Sequence, residues 1–251
     1  MKSNAEKFFF SDFTRENYRR LIRLAKEKYV FRNYNDFNNQ ERFILWRHDV
    51  DFSMHGSVKL AKIEAEEGVA ATYLLLLHSP FYNLLEHEIT TCVREIIGLG
   101  HIIGLHFDTS YYQIRNEKEM FKWLTWEKGI LGDLFAQNIS VFSFHDPSNI
   151  LQKFPDLMYE GMVNTYSQYF QTKVGYCSDS NGYWRFRRLE NVLQESSDYS
   201  LQVLTHPEWW QDVVMSPKQR LKHCIDGRAA KTEAWYAEVA MRSGRENIDW
   251  N

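Results

Sequence analysis

Short apolar runs alternate with longer amphipathic stretches along most of the chain. The run Phe43–Val50 reads as a buried strand, and Val69–Leu77, Ile102–His106, Ile139–Phe144, Val174–Cys177 and Leu201–Leu204 read the same way. Between them the spacing becomes that of helices. Phe13–Tyr29 sets Leu21, Ile22, Leu24 and Ala25 among basic residues, with Ser11, Asp12 or Thr14 available as its N-cap. Helices are expected over Ser53–Glu67, stopped by Gly68, and over Leu84–Leu99, stopped by Gly100. Others are expected over Asn116–Phe135, Arg187–Ser196 and Pro217–Arg242. The stretches 33–40 and 148–171 show no clear period, and Asp179–Gly182 reads as a turn.

Strands alternating with long helices argue for parallel β/α units in an α/β fold, either doubly wound or closed towards a barrel. A count of roughly six or seven strands favours a barrel, if an incomplete one. The 251 residues fit one domain, 1–251. In either arrangement function gathers at the C-terminal strand ends. There the sequence places Asp49 and Asp51, His106 and Asp108, His145 and Asp146, Asp179, and His206 with Glu208.

Composition narrows the partners. A net charge of −3 offers no basic footprint for nucleic acid. No stretch has a signal-peptide core or transmembrane length. Cys92, Cys177 and Cys224 are odd in number and widely spaced, as for reduced thiols, and a cytoplasmic location is expected. The 8 Trp, 14 Tyr and 17 Phe exceed what a core of this size asks for and suit stacking on sugar rings. G-x-S-x-G, P-loop and G-x-G-x-x-G patterns are absent from the chain.

Side chains from separate strand ends of a barrel converge. One carboxylate with two imidazoles is a common catalytic zinc set, so Asp51, His106 and His145 are the expected ligands of a divalent metal. Asp108 is the substitute if an imidazole points elsewhere. Asp49 is then the expected general base and His206 the acid that protonates the leaving group, with Asp179 orienting His206. Arg47 and His48 flank Asp49 and are expected, with Asp108, to border the substrate. Trp184, Trp209 and Trp210 are expected as sugar-facing rings, one of the tandem pair serving as platform and the other as packing, with Tyr183 beside Trp184 as a further wall.

The motifs R-H-D-V-D at Arg47–Asp51, G-L-H at Gly104–His106 and F-H-D-P at Phe144–Pro147 are followed by S-D-S-N-G-Y-W at Ser178–Trp184 and T-H-P-E-W-W at Thr205–Trp210. As an ordered set they resemble the polysaccharide deacetylase superfamily (the NodB-homology, carbohydrate esterase 4-like group), and more closely its divergent branch in surface-polysaccharide and O-antigen gene clusters. The resemblance implies a distorted (β/α)7-type barrel, a divalent metal, usually zinc, and hydrolysis of an N-acyl group on a sugar. It makes Asp49 similar to the family's base, Asp51 and His106 to metal ligands, His206 to the late acid histidine, and Asp179 to the carboxylate supporting it.

The chain departs from that pattern in three places. T-F-D-D-G is replaced by R-H-D-V-D, which inserts Val50 between the acids. The second metal histidine, four residues after the first, is Ser110 here, and the Arg-Pro motif has become His145-Asp146-Pro147. His145 is the expected replacement ligand. The expected function is metal-dependent deacylation of a cytosolic nucleotide-sugar or lipid-linked glycan precursor in O-antigen or lipopolysaccharide biosynthesis. The alternatives are hydrolysis of another C–N bond and a non-catalytic glycan-binding or assembly protein with a decayed site.

Overall fold

The computed structural model describes residues 2–37, 40–149, 151–246 and 248. A short helix α1 (Asn4–Lys7) and a single turn over Phe10–Phe13 lead into α2 (Arg15–Lys26), which Thr14 caps by accepting from the Asn17 amide. Then follow β1 (Val30–Arg32), β2 (Phe43–Val50), α3 (Met54–Glu66), β3 (Thr72–Leu75), α4 (His87–Gly98), β4 (Ile102–Phe107), α5 (Glu117–Phe135) and β5 (Val141–Phe144). The antiparallel pair β6 (Met158–Tyr159) and β7 (Met162–Asn164) precedes α6 (Gln168–Lys173), β8 (Gly175–Ser178), α7 (Leu189–Glu195), β9 (Leu201–Thr205) and α8 (Pro217–Arg242).

Local chemistry sets the boundaries. Ser53 and Asn116 cap α3 and α5, and Ser216 with Gln219 forms a capping box ahead of Pro217 in α8. Gly68 and Gly100 take φ of +70° and +91° just past α3 and α4, where a side chain would be strained. The aperiodic stretch after β5 holds β6, β7 and α6. Its hairpin turns on Glu160 and Gly161, both at positive φ, without the usual Asn-Gly or Asp-Gly signal. Asn38 and Asn39 of the expected loop, and Ile150, lie outside the described residues.

The strands form one sheet in the order β6-β7-β5-β4-β3-β2-β9-β8, with β1 on the first half of β2. Seven strands, β7 round to β8, run parallel, and only the β6–β7 pair is antiparallel. In a flat sheet β2 and β5 would lie roughly 14 Å apart. Yet Ser143 of β5 donates to Asp49 of β2 across 3.4 Å. The sheet is therefore curled, with helices outside, as in the expected distorted barrel. It does not close, because β6 and β8 remain its two edges.

Curling splits each strand by parity. On β2, Ile44, Trp46 and Val50 join the core beneath the helices, while Phe43 and Leu45 join an inner cluster with Leu74, Val141 and Val163. Above that inner floor come Arg47 and then Asp49.

His48 has the outward parity, which corrects its expected place beside the substrate. It is wholly buried, its Nε2 lies 2.6 Å from Glu64 Oε1, and its Nδ1 lies 2.7 Å from Thr205 Oγ1. Its ring stacks on Tyr73 at 4.3 Å. Glu64 also accepts from the Tyr18 and Tyr73 hydroxyls, so one buried carboxylate ties α2, α3, β2 and β3 together. Burial opposes its charge, but His48 beside it holds the carboxyl below its usual range. Glu64→Ala strands these buried donors and is expected to cost about 3–5 kcal/mol in urea unfolding. A loss under about 1 kcal/mol would refute this structural role for His48 and Glu64.

Candidate metal centre and catalytic cavity

The inward parity of several strands delivers side chains to one cavity of about 460 Å³ at their C-terminal ends. Asp49 is the last inward residue of β2, and Asp51 continues that face past the strand. His106 follows Gly104 on β4. A Cβ at Gly104 would lie 2.5 Å from Leu74 Cδ2 and 2.6 Å from the Val141 carbonyl oxygen, so glycine is needed for the inner packing below the histidine. His145 continues the face of Ser143 just past β5, and His206 continues that of Leu204 just past β9.

Asp51, His106 and His145 each bring a ligand atom within 4.8 Å of the others. Asp51 Oδ1 is 3.1 Å from His106 Nε2 and 3.6 Å from His145 Nδ1, and the two imidazole nitrogens are 3.3 Å apart. Asp51 Oδ1 is buried yet has no hydrogen-bond partner among the described residues. Two nitrogens converging on an orphaned carboxylate oxygen are donors that fit a divalent cation. Burial opposes the charge of Asp51, but the adjoining His106 and His145 hold its carboxyl well below the usual range. Asp51 in turn raises the His145 pKa against the effect of burial.

Ser143 aims His106. The His106 Nδ1 is 2.6 Å from Ser143 Oγ, whose hydroxyl proton goes to Asp49 Oδ1. Ser143 must then accept from Nδ1–H, which leaves the Nε2 lone pair facing the site. Asp49 is also 3.5 Å from Arg47 Nη2.

On the β9 side, His206 Nδ1 is 2.7 Å from Asp179 Oδ1, and the His206 amide donates to both Asp179 oxygens. Trp210 Nε1 donates to Asp179 Oδ2. Burial alone would favour the neutral ring, but Asp179 overrides it and the His206 pKa is raised to about 10. His206 Nε2 faces the cavity, 3.8 Å from Asp51 Oδ2.

Several expected substrate contacts lie elsewhere. Arg47 is fully buried below the cavity, donates to Thr165 Oγ1 and lies 4.5 Å over the Tyr166 ring, so it braces Asp49. Asp108 Oδ1 accepts from the Ser110 and Tyr111 amides, capping its own turn, and does not line the cavity. Trp184 donates to Asp12 and stacks on Phe13 at 5.1 Å, within the core, and Tyr183 packs edge-on against Phe8. Trp210 is wholly buried. Trp209 does line the cavity, with Arg185 and Phe186 nearby.

Ser143 and Glu208 belong to the site without an expected role. Ser143 shares the inward parity of His145, a signal present in the sequence. Glu208, in the turn after His206, lines the cavity with its Oε2 buried and unpartnered, and burial pushes its pKa up to about 8.

No protein-family model and no curated protein matches the sequence. Among solved structures the chain is similar to a family 4 carbohydrate esterase from Bacillus anthracis, at 15% identity over 84% of this chain and 86% of that one, with a TM-score of 0.42. It is similar to the catalytic domain of a peptidoglycan N-acetylglucosamine deacetylase from Eubacterium rectale, at 15% identity over 78% and 87%, TM-score 0.46. A polysaccharide deacetylase from Bacillus cereus matches at 12% identity over 77% and 89%, TM-score 0.47. At such identities the likeness is one of fold alone.

Because the folded pKa of His206 lies above its ordinary 6.5, the stability from its ion pair is complete below about 6.5 and is lost as pH rises through about 10. In metal-free protein followed by imidazole NMR, His206 is expected to titrate near that upper value. Asp179→Asn is expected to bring the titration down towards the ordinary value. An unmoved titration would show that Asp179 does not hold the proton.

Proposed function

We propose that this protein is a metal-dependent hydrolase that removes an N-acyl group from a sugar. The observation that carries this is one cavity holding a two-histidine, one-carboxylate ligand set, a second buried carboxylate and a histidine charged at neutral pH. Amide hydrolysis needs a group to take a proton from water and a group to give one to the departing nitrogen, and these stand on separate strands here.

Asp51, His106 and His145 would hold a divalent cation, zinc by the nature of the donors, which when bound supplies Lewis-acid polarisation of the acyl carbonyl and of water. Asp49, fixed by Arg47 and Ser143, is the base that takes the proton of the attacking water. His206, kept protonated by Asp179, is the acid that gives a proton to the leaving amine. Trp209 in the cavity wall offers a flat face for a sugar ring, and the exposed Phe186 with Arg185 borders the mouth. The substrate class, a nucleotide-sugar or lipid-linked precursor of a surface polysaccharide, rests on the motif resemblance between Arg47 and Trp210.

Elemental analysis of purified, zinc-reconstituted protein is expected to find about one ion per chain, lost in His145→Ala. Asp49→Asn is expected to keep the ion while acetate release from N-acetylated sugars falls roughly 10²- to 10⁴-fold. Wild-type protein that takes up no metal, or an Asp49→Asn variant with unchanged acetate release, would overturn the assignment.

A further inference from the structure

The turn after β9 carries a carboxyl into the cavity that the fold does not use. Glu208 sits in the single turn Pro207–Trp209, two residues past His206, and is only 2% exposed. The turn is closed without its side chain. The Trp209 amide donates to the His206 carbonyl, the Trp210 amide to that of Pro207, and Gln211 Nε2 to that of Glu208 itself. The Glu208 carboxyl takes a bond from its own backbone amide. Its Oε2 lies buried in the cavity wall with no hydrogen-bond partner among the described residues. Burying a carboxyl oxygen in this way opposes folding, and a leucine here would be the more stable choice. An orphaned oxygen facing a cavity calls for a partner that enters it.

The position narrows what that partner is. The ligand atoms that converge within 4.8 Å are those of Asp51, His106 and His145, so Glu208 stands outside the metal set. The His206 ring pairs with Asp179 and faces Asp51, and among the described residues it makes no ion pair with Glu208. The charges of His206 and Asp51 nonetheless both act on Glu208, which places its carboxyl close to the reacting end of the cavity. The group it meets is therefore a neighbour of the leaving nitrogen and not that nitrogen itself.

On a sugar, the carbon next to an acylamino group commonly bears a hydroxyl. A hydroxyl donates to a carboxylate and accepts from a neutral carboxyl, so it satisfies Oε2 in either state. A phosphate at that place would meet an ionised Glu208 as a like charge. An ammonium would call for the ionised form, which burial opposes.

We propose that Glu208 is a specificity-determining residue whose Oε2 bonds a free hydroxyl on the carbon next to the acylamino group. This rests on the hydrolase assignment for the kind of ligand, and it adds that the substrate carries that hydroxyl unsubstituted. The probes are N-acetylglucosamine and its 3-deoxy analogue. Each is titrated into full-length Asp49→Asn protein, where turnover is slow, with and without zinc, and binding is followed by NMR. The hydroxyl-bearing sugar is expected to bind roughly 10- to 100-fold more tightly. Adding Glu208→Leu is expected to bring that ratio to about 1, while Glu208→Gln, whose amide still meets a hydroxyl, keeps most of it. In the otherwise wild-type chain, Glu208→Leu is also expected to melt no lower than the parent, since it removes an unpaired buried oxygen.

Equal binding of the two sugars, or binding of neither, would overturn the proposal. So would a Glu208→Leu variant that keeps the ratio, or one that melts well below the wild type. Acetate release by the wild type separates this from the hydrolase assignment. Release without discrimination between the sugars removes the proposal alone, and discrimination without release removes the assignment alone.

Discussion

A guanidinium without access to water lies beneath the cavity, and the site depends on how its charge is met. Arg47 reaches Asp49 on its own strand, Thr165 just past β7, and the face of Tyr166. β2 and β7 stand four places apart in the sheet, so these contacts exist only if the sheet is curled. Removing a partner from a buried ion costs several kcal/mol, which makes the curl and the placing of Asp49 one requirement. Asp49 then passes its constraint through Ser143 to His106, whose free nitrogen completes the ligand set with Asp51 and His145.

The same site carries a conflict that a bound cation would resolve. Asp51 lies among His106, His145 and His206, and its negative charge raises the proton affinity of both His145 and His206. A histidine coordinates only through an unprotonated nitrogen, so His145 would hold a cation in competition with the proton that Asp51 favours on its ring. A cation beside Asp51 would offset that residue's part of the support for the His206 proton, while the larger part, from Asp179, lies away from the ligand set. The separate hydrogen bonds from the His206 amide and Trp210 fix Asp179 for that task.

Much of this was legible in the sequence, and the limits have physical causes. Helix ends such as those of α3 and α5 followed capping residues and glycines, and Asp49, Asp51, His106, His145, His206 and Glu208 gather in one cavity, with Asp179 behind His206 and Asp108 turned to cap its own loop. Sequence proximity misled at His48, because adjacent strand residues face opposite sides of a sheet; counting from Asp49 in steps of two separates it from Arg47. The same count would have found Ser143. Trp184 and Trp210 carry no such signal, since a buried indole and a sugar-facing one look alike in a loop, and only their partners Asp12 and Asp179 tell them apart. The two-residue strand β6 is too short for any period to show.

Strand β2 is loaded with ionic groups on both faces, and this bears on register more than on net stability. Outward, His48 meets Glu64; inward, Arg47 and Asp49 meet each other under the cavity. A slip of one residue would drive Asp49 beneath the helices and His48 into the barrel, leaving both buried sets without partners. An apolar strand would tolerate such a slip far better. Buried ion pairs contribute little net stability against well-packed apolar groups, so their use here is to make one pairing of β2 with β3 and β9 the only affordable one. That pairing delivers Asp49 and Asp51 opposite His106, and the chemistry of the cavity depends on it.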